Sequence, residues 1–147
     1  MAEEATDRIT VSAPPEKCFG VADDIERSPE WVADIKEVTV LERDEAGRPA
    51  LVSFRAAAFG RSTTYTLAYD HSEAPTTLSW RLTRGDITTR LDGRYVFEET
   101  ESGDTEVTYH LEVELRVPIP GFIKMRAQSR IMDTAMRELK ARVESLA

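Results

Sequence analysis

The segment that most limits how this 147-residue chain can fold is its last one, PIPGFIKMRAQSRIMDTAMRELKARVESLA. No proline follows Pro120 and no glycine follows Gly121. Apolar residues fall at Phe122, Met125, Met132, Met136, Leu139, Val143 and Leu146, with small Ser129 in the one gap. Steps of three and four put them on one face of a single helix. At ~1.5 Å per residue that helix runs on the order of 40 Å, the width of a small domain. Almost everything before it alternates as strands do. One long helix laid on a curved sheet leaves a space that side chains or a guest molecule must fill, and the function is expected there.

The first strand is TDRITVSA, with Ile9 and Val11 on one face. Pro14 and Pro15 end it and suit the opening turn of a helix whose apolar face is Cys18, Val21, Ala22 and Ile25. Gly20 weakens that helix. A second short helix is expected from Ser28, with Ser28 as cap, Pro29 in the first turn and Trp31 as a structural anchor. From Ile35 six strands follow, separated by turns at EAGRP, Gly60, EAPT, Gly85-Asp86 and ESGD. Such short separations predict neighbouring antiparallel hairpins. No repeat or linker divides the chain, so residues 1–147 read as one domain.

Alternation assigns the faces. Tyr65, Leu67 and Tyr69 point one way, as do Leu78, Trp80 and Leu82. Leu91, Gly93, Tyr95 and Phe97 follow, then Val107, Tyr109, Leu111, Val113, Leu115 and Val117. The opposite positions are polar, as in an antiparallel sheet covered on one side. His110 falls on the polar face and reads as solvated.

Three features predict room inside. Ala56, Ala57 and Ala58 are consecutive small residues in a strand, and Gly93 removes an inner side chain. The inner aromatics Tyr65, Tyr69, Trp80 and Tyr95 carry polar tips that need partners. The helix face carries Met125, Met132 and Met136, and methionine adapts to varied shapes. Each alone is also what a filled core would show; together they predict an apolar cavity with a few polar handles. The residues expected to line it are Phe54, Tyr65, Leu67, Tyr69, Leu78, Trp80, Leu82, Tyr95, Phe97, Met125, Ser129, Met132, Asp133 and Met136. The loop from Gly85 to Thr89 is a candidate gate.

Charge and composition narrow the partners. A net charge of −8 disfavours nucleic acid, which requires a basic face. The last segment runs against this balance: Lys124, Arg126, Arg130, Arg137, Lys140 and Arg142 meet only Asp133, Glu138 and Glu144. That excess balances an acidic sheet, or offers a docking surface to an acidic partner or anionic lipid, so peripheral membrane contact stays open. One cysteine and two histidines exclude a disulfide within the chain, a cysteine cluster and a His-rich metal site. No cofactor is expected. The acidic start MAEEATDRI is no signal peptide and no stretch approaches ~20 apolar residues, so a cytoplasmic protein is expected, as monomer or homodimer.

Three stretches carry a family resemblance: VADDIERSPEWVADIKEVTVLE, LDGRYVFEETESGDTEVTYHLEVEL and PIPGFIKMRAQSRIMDTAMRELKARVE. With the Pro29-Glu30-Trp31 step and the run from Gly103 to Tyr109, the chain resembles the START-like superfamily (SRPBCC, the helix-grip fold). That group includes polyketide cyclases/dehydrases and lipid-transfer proteins. The resemblance spans nearly the whole chain and is nearest to small single-domain actinobacterial members. It implies an α+β helix-grip fold: a curved antiparallel sheet of about seven strands wrapped on a long C-terminal helix, with two short helices after the first strand. It also implies a hydrophobic ligand gripped between helix and sheet.

Three readings of function follow, one of them a quinone-binding or membrane-associated helper that presents lipid to a partner through the basic helix. A binding module would hold a lipid, polyketide, sterol-like or quinone-like molecule unchanged. An aromatase/cyclase or dehydratase would need a positioned acid or base. Its candidates are Asp133, Ser129, Tyr65, Tyr69 and Tyr95, with Arg126 for an anionic carboxylate or phosphopantetheine. Asp133 has a plainer alternative, pairing with Arg130 or Arg137 on the helix surface. With no histidine on the inner face, the binding module is the expectation.

Overall fold

The computed structural model describes residues 4–58, 61–116 and 119–146. The expected turn at Gly60 and the inward Val117 lie outside these, and the Ala58 side chain is not described. Seven strands alternate as read: β1 (Glu4–Val11), β2 (Ile35–Arg43), β3 (Pro49–Ala58), β4 (Arg61–Asp70), β5 (Thr77–Gly85), β6 (Thr88–Glu99) and β7 (Thr105–Leu115). Helix α1 (Pro15–Asp23) and a 3-10 helix (Ile25–Glu30) follow β1, and the long helix α2 covers Gly121–Ser145. Pro120 precedes the first residue of α2, where a missing N–H costs nothing.

The strands form one antiparallel sheet in the order β1-β7-β6-β5-β4-β3-β2. Consecutive strands from β2 to β7 are neighbours because short hairpins join them. Two of these turns hold Gly47 and Gly103 at φ of 83° and 87°, a conformation that side chains with a Cβ resist. The chain instead crosses between the two sheet edges, β1 and β2, through α1 and the 3-10 helix. That crossing closes one end of the curved sheet.

The second short helix differs from expectation. It starts at Ile25, not Ser28, and Pro29 lies near its end. Ser28 caps by its backbone: its carbonyl accepts the N–H groups of Trp31 and Val32. Buried Ile25 anchors the segment into a core cluster with Val52, Phe54 and Leu67.

Helix α2 leans on one half of the sheet. Its backbone neighbours are β1, β7 and α1. Met132, Met136, Leu139 and Val143 are buried there with Val11, Cys18, Phe19, Phe97, Val107 and Leu111. Burying a side chain such as Met136 contributes about 1.5–3 kcal/mol. The buried position in the expected gap is Gln128, not Ser129; its amide donates to the Leu111 carbonyl at 2.8 Å. The strands toward β2 curve away from the helix, and the space between them is not filled.

Candidate functional site

That space is a cavity of about 840 Å³. Strands β3 to β7 supply its floor and the flank of α2 its roof, while the 3-10 helix and the following loop supply one side. Asp34, Ala57, Ile123, Arg126 and Arg130 line it yet are solvent-exposed, so they mark the mouth.

The wall sorts the aromatic residues by polarity. All four tyrosines of the chain, Tyr65, Tyr69, Tyr95 and Tyr109, line the cavity, as do both tryptophans, Trp31 and Trp80. Among the described phenylalanines only Phe54 does; Phe19 and Phe97 meet edge to face in the core, and Phe122 is exposed. The rings are contiguous. Phe54 stacks on Tyr65 at 5.3 Å, Trp80 lies 6.0 Å from Tyr69 and 5.4 Å from Tyr95, and Tyr95 stacks on Tyr109 at 4.6 Å. A filled core would favour phenylalanine; rings with polar tips suit a wall that must also meet polar atoms.

Among the described residues no group hydrogen-bonds the four tyrosine hydroxyls. Burial pushes each hydroxyl well above the usual phenol value. Asp34 adds to the rise at Tyr65 and Glu138 at Tyr95, while Tyr69 and Tyr109 are raised further by the neighbouring tyrosines. They are therefore neutral donors and acceptors at physiological pH.

The fourteen expected lining residues divide evenly. Phe54, Tyr65, Leu67, Tyr69, Leu78, Trp80 and Tyr95 line the cavity. Leu82, Phe97, Met125, Ser129, Met132, Asp133 and Met136 do not. Phe97 is covered by Phe19, and Leu82 packs beside the Phe54 cluster where β5 slips register against β4. The five helix residues share one cause. Met132 and Met136 face the sheet and fill the core. Met125 and Ser129 are solvent-exposed, Met125 by 62%. Asp133 is exposed too and pairs with Arg137 at 3.0 Å, the plainer of its two readings. The cavity instead meets the adjacent flank: Ile123, Arg126, Ala127, Arg130, Ile131, Thr134, Ala135 and Glu138.

Two expectations about shape also change. A Cβ on Gly93 would lie 2.7 Å from the Trp80 ring and 2.8 Å from the His110 carbonyl, so the indole occupies the space that the glycine leaves. Ala56 and Ala57, by contrast, do line the cavity. The Gly85–Thr89 turn is no free gate. The Asp86 carboxylate accepts from the Thr63 hydroxyl and the Thr64 and Ile87 N–H groups, and Arg116 donates to the Gly85 and Asp86 carbonyls.

The sequence model of the polyketide cyclase/dehydrase and lipid transport family matches residues 2–144. The chain belongs to that family. Among solved structures it is similar to a START superfamily protein from Mycobacterium smegmatis: 24% identity, TM-score 0.92, covering 98% of this chain and 99% of that one. It is also similar to the Zhui aromatase/cyclase from Streptomyces sp. R1128: 14% identity, TM-score 0.84, 98% and 94% covered. A third is the protein TTHA0849 from Thermus thermophilus: 22% identity, TM-score 0.79, 99% of both chains covered. At these identities the structures establish the START-like helix-grip fold. No curated protein matches the chain significantly. No helix among the described residues is long and apolar enough to cross a membrane.

Within this family framework, several groups escaped sequence reading. Trp31, read as an anchor, forms part of the cavity wall, as do Leu91, Tyr109 and Val113. Alternation places Leu91, Tyr109 and Val113 on the inner face; what it does not give is their depth in the cavity. His71 is buried, with Nε2 2.6 Å from the Pro49 carbonyl oxygen and its ring 6.2 Å from Tyr69. Its Nδ1 lies 2.9 Å from Asp23 Oδ1 without hydrogen-bond alignment. No periodicity marks it, since it falls just past the end of β4. His110 does lie on the outer face, but its side chain is only 17% exposed and meets the Thr6 hydroxyl at 2.9 Å. Burial pushes its pKa down, with Arg94 adding to the shift.

Proposed function

We propose that this protein binds a small hydrophobic ligand in the cavity between sheet and α2, for carriage or sequestration. The observation that supports this is the unfilled volume of about 840 Å³, within the ~300–1,000 Å³ range of small-molecule pockets. The tyrosine hydroxyls favour a ligand with some oxygen or nitrogen atoms, such as a polyketide or quinone, over a plain hydrocarbon. Native mass spectrometry of freshly purified protein tests the reading. A co-purified apolar molecule is the expected result. An empty protein that also shows no thermal shift with lipid and aromatic libraries would overturn it.

The aromatase/cyclase or dehydratase reading has one observation in its favour: four tyrosines line the cavity, and a neutral phenol could hydrogen-bond a carbonyl oxygen. Proton abstraction needs a base near neutrality, which the raised phenols do not supply. Asp133, one candidate base, lies on the solvent side. Binding is therefore the reading that the geometry supports best.

A further inference from the structure

The cavity mouth carries two arginines that meet no carboxylate among the described residues. Nine arginines pair with carboxylates: Arg8, Arg27, Arg43, Arg48, Arg55, Arg90, Arg94, Arg137 and Arg142. The chain carries 27 acidic residues against 19 basic ones, so partners are in surplus. Among the described residues Arg81, Arg84, Arg116, Arg126 and Arg130 show no carboxylate partner, and of these only Arg126 and Arg130 lie on the cavity lining. The division runs along α2 itself. In its second half Arg137, Lys140 and Arg142 meet Asp133, Glu144 and Glu30. From Gly121 to Gln128 there is no acidic residue, and Asp133 is the first.

Arg126 and Arg130 stand four residues apart, on one side of the helix, where like charges repel. The two carboxylates on the lining do not relieve them. Glu138 accepts the Ala33 N–H at 3.1 Å, and Asp34 belongs to the loop across the mouth. Two guanidinium forks on an apolar rim match the planar, bidentate geometry of an oxyanion. At the mouth such a group keeps contact with water, so an apolar body can enter without burying a bare charge.

Resting on the binding reading above, we infer that the ligand carries an anionic carboxylate or phosphate, held at the mouth by Arg126 and Arg130 while its apolar body occupies the aromatic interior. The ligand is thus an amphiphile, and the arginine pair sets which end faces out.

Two fluorescent probes with the same apolar body test this: 1-pyrenebutanoate and its neutral counterpart 1-pyrenebutanol. The native protein should bind the acid about tenfold more tightly, the equivalent of one charge-assisted contact. The preference should shrink as salt rises. In the double variant Arg126→Gln, Arg130→Gln the acid-to-alcohol ratio should fall to about one. Both residues are exposed, with no ion pair among the described residues, so the fold should persist, which circular dichroism checks. Competition by decanoate and decyl phosphate separates carboxylate from phosphate; either one outcompeting decanol supports the inference. A ratio near one in the native protein, or a ratio unchanged in the double variant, overturns it and leaves the cavity reading standing. Failure of both probes to bind overturns both.

Discussion

The Trp80 indole lies where a side chain on Gly93 would have to be: Cζ2 is 2.7 Å from the position of a Cβ. The two residues are paired across β5 and β6, and the His110 carbonyl, 2.8 Å from the same point, blocks the other way out. Gly93→Ala should therefore move the tryptophan. Overpacking of this kind costs about 1–3 kcal/mol, readable as a shift in the urea midpoint. Because Trp80 lines the cavity, ligand affinity should change as well. A variant as stable as the parent, with the same affinity, would contradict the placement.

Helix α2 gives a paired comparison. Met136 is 2% exposed and Met125 62% exposed. Met136→Ala should cost about 2–5 kcal/mol in chemical denaturation. Met125→Ala should stay within about 0.5 kcal/mol. Equal costs would mean that the helix is rotated from the position described.

Asp133 pairs with Arg137 on the solvent face, both more than 60% exposed. Asp133→Asn should change stability by no more than about 0.5 kcal/mol and leave probe binding intact. Loss of binding would return Asp133 to the cavity.

Asp86 ties the β5–β6 turn to β4. Hydrogen bonds, that from the Thr63 hydroxyl first, hold its carboxyl below the usual carboxylate value. Its stabilisation is present in full above the unfolded value of ~3.9 and is lost as pH falls through the lower folded value. At neutral pH, Asp86→Asn should cost about 1 kcal/mol, a figure discounted for solvent exposure. The gap between variant and parent should close in acid. A difference independent of pH would argue against the charge as its cause.

The four tyrosines make an alkaline prediction of opposite sign. Their hydroxyls are raised in the folded state. The unfolded chain sheds those protons near pH ~10, so stability falls as pH rises past that point. At about pH 11, one unit beyond the ordinary phenol value, the native protein should show little tyrosinate absorbance. It should then gain that absorbance in one cooperative step as it unfolds. Gradual titration with ordinary phenol values would mean that the hydroxyls are in open water.

What the sequence conveyed was direction along each element. Alternation placed Tyr65, Leu67, Trp80 and Tyr95 on the inner face, and steps of three and four located α2. It could not convey how elements sit against one another. Periodicity identifies the stripe with most apolar area, of which Met132, Met136, Leu139 and Val143 pack in the core while Phe122, Met125 and Leu146 are exposed. The stripe that meets the cavity is mixed: Ile123, Ala127 and Ile131 alternate with Arg126, Arg130 and Glu138, so no hydrophobic count singles it out. Gly93 misled for a similar reason, since a missing side chain reads as space until the neighbouring ring is placed. His71 and Trp31 act from positions outside regular strands and helices, where periodicity gives no signal.

The sorting of aromatic residues has a practical corollary. With every tryptophan and tyrosine of the chain arrayed around one chamber, its native ultraviolet fluorescence originates at that wall. Arrival or departure of a guest would then perturb the entire emission at once, and the protein would serve as its own unlabelled gauge of occupancy.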